Sequence, residues 1–176
     1  MSTDDQPLAA GAFSRWLAEM QRALRGEVDA DVPCHGCTAC CTSSQFVHIG
    51  PEETATLARI PAALRFPAPG LPKGHVVLGY DQRGHCPMLI DGACSIYDDR
   101  PRTCRTYDCR VFAAAGIDAD KPAIAERVRR WRFDVTTDAD RTLLAAVRAA
   151  AAFVDERDAT QRAVRAVERH EQFLGD

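Results

Sequence analysis

Eight cysteines carry the chemistry legible in this sequence, and four of them fall in one short run, Cys34-His35-Gly36-Cys37-Thr38-Ala39-Cys40-Cys41. The other four follow at Cys86, Cys94, Cys104 and Cys109. A C-x2-C-x2-C-C run places several sulfurs around one small volume, which suits a metal ion or an iron-sulfur cluster better than a disulfide framework. Adjacent Cys40 and Cys41 are also awkward to bridge. Thiolate sulfur is a soft ligand that selects zinc, copper(I) or iron-sulfur centres over magnesium or calcium. Metal binding through all eight cysteines is therefore the expectation.

The spacing leaves the metal open between zinc and iron. Zinc sites of four cysteines usually combine two C-x2-C knuckles, and only the first half of this set has that spacing. The first three cysteines with the distant Cys86-Pro87 share the ligand spacing of bacterial ferredoxins, which points toward iron. Eight thiols suffice for two four-coordinate sites, or for one site with spare cysteines. His35 and His85 stand beside cysteines and are the alternative ligands. Thiolates on a divalent ion leave an excess of negative charge, and Arg100, Arg102, Arg105 and Arg110 are placed to offset it. Tyr97 and Tyr107 read as core aromatics, Trp16 and Trp131 as core anchors, and His48, His75 and His170 as surface or core residues. The glycines lack phosphate-loop spacing.

The second half makes a resemblance specific. Cys34, Cys37, Cys40 and Cys41 match a CxxCxxCC signature; Cys86-Pro87 and Leu89 match a C-P-x-L element, and Cys94 with Ile96-Tyr97 matches C-x-I-Y. Arg100-Pro101 and Cys104-Arg105 match a closing R-P-x-x-C-R. On these residues the chain resembles the YkgJ-like cysteine-cluster family, a zinc- or iron-chelating domain, and a domain of flagellin lysine N-methylases is similar to it. The resemblance implies metal chelation and brings no settled reaction. An iron-dependent enzyme of redox or group-transfer type, resembling those methylases, is the alternative reading. A thiol redox sensor is the second.

These cysteines must be positioned by a chain of 176 residues, 46% hydrophobic and 27% charged, the composition of a soluble globular protein. The net charge of -3 is spread over the chain, and no segment is basic enough for a nucleic-acid footprint. No apolar run suits a membrane span, since even Leu143 to Val154 is interrupted by Arg148. The acidic start, Met1-Ser2-Thr3-Asp4-Asp5, is unlike a secretory signal, so the expected location is cytoplasmic, where thiols stay reduced.

Apolar spacing predicts an amphipathic helix from Pro7 to Arg25, with Phe13, Trp16, Leu17, Met20 and Leu24 on one face and Gly26 as its stop. Pro33 favours an extended approach to Cys34. A short strand is expected over Phe46 to Ile49 and a helix opened by Pro51, with Glu52 and Glu53 in its first turn and its end near Pro61. Loop composition follows from Arg65 to Gly74. A strand is expected over Val76 to Leu78, then a hairpin turning at Asp91-Gly92 in a type I' turn. Two or three helices are expected beyond Asp118, with Trp131 on a helical face. The predicted fold is a single domain, residues 1–176, of α-rich α+β class. Its cysteine module, residues 34–110, consists of short strands and loops packed between an N-terminal helix, residues 7–26, and C-terminal helices, residues 118–174.

Overall fold

The computed structural model describes residues 6–30, 32, 34 and 36–175. In chain order the elements are β1 (Leu8–Ala12), α1 (Phe13–Leu24), β2 (Val47–Ile49), α2 (Thr54–Arg59), β3 (Arg65–Pro67), β4 (Val76–Leu78), β5 (Leu89–Ile90), β6 (Ala93–Cys94), α3 (Arg102–Thr106), α4 (Arg110–Ala115), α5 (Pro122–Arg130), β7 (Trp131–Asp134), α6 (Asp138–Phe153) and α7 (Ala159–Arg169). The class is α+β and helix outweighs strand. Contacts divide the chain into two compact units, Met1–Val28 with Asp108–Asp176, and Asp29–Tyr107. Among the described residues no helix is long and apolar enough to cross a membrane.

The first unit is helical. The helix expected from Pro7 begins only at Phe13, because Leu8–Ala12 forms β1 and pairs in parallel with β7, from Leu8 opposite Trp131 to Ala12 opposite Asp134. The register slips at Gly11, whose φ of +87° suits a residue without Cβ. From Phe13 onward the expected stripe holds, with Phe13, Trp16, Leu17 and Met20 buried, while Leu24 at the helix end is exposed. Gly26, at φ +75°, ends the turn by donating its N–H to the Ala23 carbonyl. Trp131 is buried but opens β7 instead of extending α5. Thr137 and Asp140 form a reciprocal capping box at the start of α6, and Asp140 also accepts the Ser14 N–H at 2.8 Å. The Asp155–Asp158 stretch breaks the last helical pattern, and Asp158 caps α7. Ala146, Ala150, Ala163 and Ala166 are buried where α6 and α7 meet, their small side chains allowing close approach beside Val147 and Val167.

A buried ion pair pins this unit. The Arg110 Nε donates to Asp108 Oδ1 at 3.0 Å and its Nη2 to Oδ2 at 2.9 Å, while Nη1 donates to the Ala10 carbonyl. Trp16 Nε1 donates to the same Asp108 carboxylate at 2.8 Å. Arg110, expected to offset the thiolates, instead has its charge matched by the carboxylate two residues before it.

The second unit carries the cysteine run. Its three-stranded antiparallel sheet has the order β2-β4-β3, with Val47 and Arg65 both opposite Leu78. Val47, Ile49, Ile60, Leu78, Met88 and Ile96 form its core, and Cys86 and Cys94 pack against that core. The expected Arg65–Gly74 loop contributes β3 at its start. Pro67 is tolerated there because β3 is an edge strand. The α2 helix starts at Thr54, after a turn at Pro51, and Glu53 is its flanking residue. The β5–β6 hairpin has the expected turn, with Asp91 and Gly92 both at positive φ.

Candidate metal centre

The cysteine run is shaped by local hydrogen bonds. Cys37 donates its N–H to the Cys34 carbonyl at 2.8 Å around Gly36, and Ser43 donates its N–H to the Cys40 carbonyl. The hydroxyls of Thr42 and Ser43 donate to the Ala39 carbonyl, which tightens the turn holding Cys40 and Cys41. Asp31, Pro33 and His35 lie outside the described residues, so the expected extended approach at Pro33 and the alternative ligand His35 do too.

The second half of the set is tied directly to the first. Cys86 donates its N–H to the Cys41 carbonyl at 2.7 Å, and Ser44 donates its N–H to the Gly84 carbonyl at 2.9 Å. This close approach requires glycine at position 84, because a Cβ there would stand 2.3 Å from Ser44 Oγ and φ is +79°. Asp81 Oδ1 accepts the N–H groups of Arg83 and His85, which shapes the turn leading into Cys86. Among the described residues no hydrogen bond reaches the His85 ring, while His48 and His75 stack, with Nε2 and Nδ1 3.0 Å apart. Leu89 pairs with Cys94 across the hairpin, and Ser95 donates both its N–H and hydroxyl to the Met88 carbonyl.

Cys104 comes from α3. That helix follows Pro101, and Cys104 donates its N–H to the Pro101 carbonyl. Glu53 locks the approach by accepting the Gly50 N–H on Oε1 and the Arg102 N–H on Oε2. Thr103 adds a hydroxyl bond to the His48 carbonyl at 2.8 Å. Glu53 was legible only as a helix-dipole residue, and nothing local signals a contact with a residue 49 positions away.

All eight cysteines are thiols. Burial pushes Cys41 up to about 11, helped by the charges that Cys86, Cys94, Cys37 and Cys34 would carry. Cys104 is pushed up to about 12 by burial of its sulfur and by Cys41, Cys86 and Cys94, with Arg100 pulling the other way, even though the residue keeps solvent exposure. Burial also raises Cys86, opposed by the nearby backbone N–H groups of Met88 and Leu89, the latter of which donates to the Cys86 carbonyl at 2.9 Å. Cys86 and Cys94 thus act on both Cys41 and Cys104, Cys41 acts on Cys104, and Cys34 and Cys37 act on Cys41.

Among the described residues no three Cys, His, Asp or Glu side chains already stand at the spacing of a formed metal site. The donor set nonetheless fits a thiophilic ion in kind: soft sulfurs share one neighbourhood, and nearby N–H groups and the Arg100 cation favour thiolate charge. Arg100 itself lies over the Tyr97 ring and donates to the Tyr97 carbonyl, and Arg105, also expected to offset charge, faces Asp29 at 3.3 Å without hydrogen-bond geometry at its Nε. Cys109 falls in the helical unit, is buried, and accepts the Trp131 indole N–H at 3.3 Å.

Comparison with known proteins gives one finding. Residues 33–125 match the family model CxxCxxCC, described as "Putative zinc- or iron-chelating domain". No curated protein and no solved structure matches the chain at a significant level. The match covers more than half of the 176 residues, and the chain belongs to this family.

Proposed function

We propose that this member of the CxxCxxCC family chelates zinc or iron, with Cys41, Cys86, Cys94 and Cys104 as the centre of the ligand set and Cys34 and Cys37 adjoining it. The observation that carries this reading is the Cys86 N–H to Cys41 carbonyl bond, which joins the two halves of the signature, supported by the influence of neighbouring sulfurs on Cys41 and Cys104. When bound, a soft ion neutralises thiolate charge and cross-links the segments that supply it. The chain's own residues prepare for that charge. The Met88 and Leu89 N–H groups favour charge on Cys86, and the Arg100 cation favours it on Cys104.

Anaerobic purification followed by metal and acid-labile sulfide analysis tests the reading and separates its forms. Colourless protein with stoichiometric zinc identifies a structural or storage site, and brown protein with iron and sulfide identifies an iron-sulfur cluster. Neither metal nor sulfide in carefully handled, folded protein overturns it in favour of a thiol redox sensor.

A further inference from the structure

The helical unit holds a cavity of about 410 Å³ that its known family role does not use. The volume is in the range of small-molecule sites. The apolar part of its wall comes from Phe112, Val128 and Trp131, all buried, with half-buried Leu144 beside them. Its charged part comes from Arg129, Arg132 and Arg148, against one carboxylate, Asp118.

Some arginines elsewhere are matched by carboxylates, as at Arg15, Arg59, Arg110 and Arg165. Among the described residues no salt bridge reaches Arg129, Arg132 or Arg148, although all three line one hollow. Arg132 is tethered through Nη1 to the carbonyls of Arg129 and Trp131. Arg148 lies against Gly116, the left-handed residue that ends α4, with its Nε and stem 3.6 to 3.8 Å from where a Cβ would be. Three cations lining an apolar wall, with one anion to balance them, suit a molecule with an anionic head and an apolar body.

We propose that this cavity binds a small organic anion, a carboxylate or phosphate carried on an aromatic or short aliphatic body. The head pairs with Arg129, Arg132 and Arg148, and the body packs on Phe112, Val128 and Trp131. No cysteine lines the cavity, so this inference stands or falls independently of the metal.

The test uses full-length, metal-loaded protein titrated with 3-phenylpropionate, phenyl phosphate, inorganic phosphate and the neutral 3-phenylpropanol, followed through the Trp131 indole N–H resonance and by calorimetry. One or both aromatic anions are expected to bind and to shift Trp131, which also tells carboxylate from phosphate. The neutral alcohol should bind about tenfold more weakly or worse, because it cannot form charge-assisted bonds. Inorganic phosphate should bind more weakly than phenyl phosphate, since it lacks the apolar body. Arg129→Gln and Arg148→Gln change exposed side chains and leave the fold intact, and each should weaken anion binding by about tenfold while leaving metal content unchanged. Equal affinity for the alcohol, anion binding unaffected by both variants, or no binding of either anion at millimolar concentration overturns the proposal.

Discussion

At the scale of single residues, the acidity of the thiols decides how metal binding depends on pH. With Cys41 raised to about 11 and Cys104 to about 12, both are protonated in metal-free protein through the neutral range. A metal must displace those protons, so apparent affinity should rise with pH between about 6 and 9, by about tenfold per pH unit for each proton released. Calorimetry in buffers of different ionisation enthalpy reads that release directly, and a flat pH profile would show that these two thiols are not ligands. The metal-free fold responds in the opposite sense. An acid whose folded pKa lies above its unfolded value near 9 keeps more protons when folded, so stability is fully present below that value and is lost as pH rises toward 11. Denaturation of metal-free protein at pH 7 and pH 10 should show the loss, and metal should abolish it. Cys109 makes a different prediction, since Cys109→Ala strips Trp131 of its indole acceptor and should cost about 1–3 kcal/mol in urea unfolding.

At the scale of elements, the turn at Gly84 sets how close the two cysteine segments come. Gly84→Ala forces a Cβ toward Ser44 Oγ and holds a side chain at positive φ, which should cost about 1–2 kcal/mol and lower metal affinity, measurable by unfolding and chelator competition. In the helical unit, hydrogen bonds from Thr137 and then Ser14 hold Asp140 well below the usual carboxylate range. That stability is present above the unfolded carboxylate value near 4 and is lost as pH falls through the depressed value. Asp140→Asn should therefore lower the melting temperature at pH 7, and the gap to the parent chain should narrow below pH 4. What the sequence disclosed about elements follows how local their causes are. Asp91-Gly92 specifies its own turn, and the Phe13–Met20 stripe specifies its own helix. The β1–β7 pair was hidden because its partners are more than a hundred residues apart and Leu8–Ala12 has no periodicity of its own. Cysteine spacing led to the expectation of one gathered set, whereas the Cys41–Cys86 backbone bond and the Glu53 bridge depend on tertiary placement. Arg110 misled through adjacency to Cys109, since the carboxylate that binds it lies two residues back.

At the scale of the whole molecule, the two compact units have cores of unequal strength. The helical unit buries Phe13, Trp16, Phe112, Ile124, Val147 and Val167 among helices with capping interactions and a buried ion pair. The cysteine unit rests on Val47, Ile49, Ile60, Leu78, Met88 and Ile96, joined by strands of two or three residues. Strands that short are marginal without a further constraint, and a chelated ion supplies one by cross-linking the segments around Cys41, Cys86, Cys94 and Cys104. Free metal at about a hundred times its dissociation constant would add about 2.7 kcal/mol to the unit that binds it. Removing the metal with a chelator under reducing conditions should then raise amide hydrogen exchange across β2 to β6 and α3. Protection in α1, α6 and α7 should persist, since their partners are one another. Exchange mapped by mass spectrometry distinguishes this from a cooperative collapse. Simultaneous loss of protection in α6 and α7 would show that the metal stabilises the chain as one body, and unchanged exchange in β2 to β6 would show that the cysteine unit folds without it.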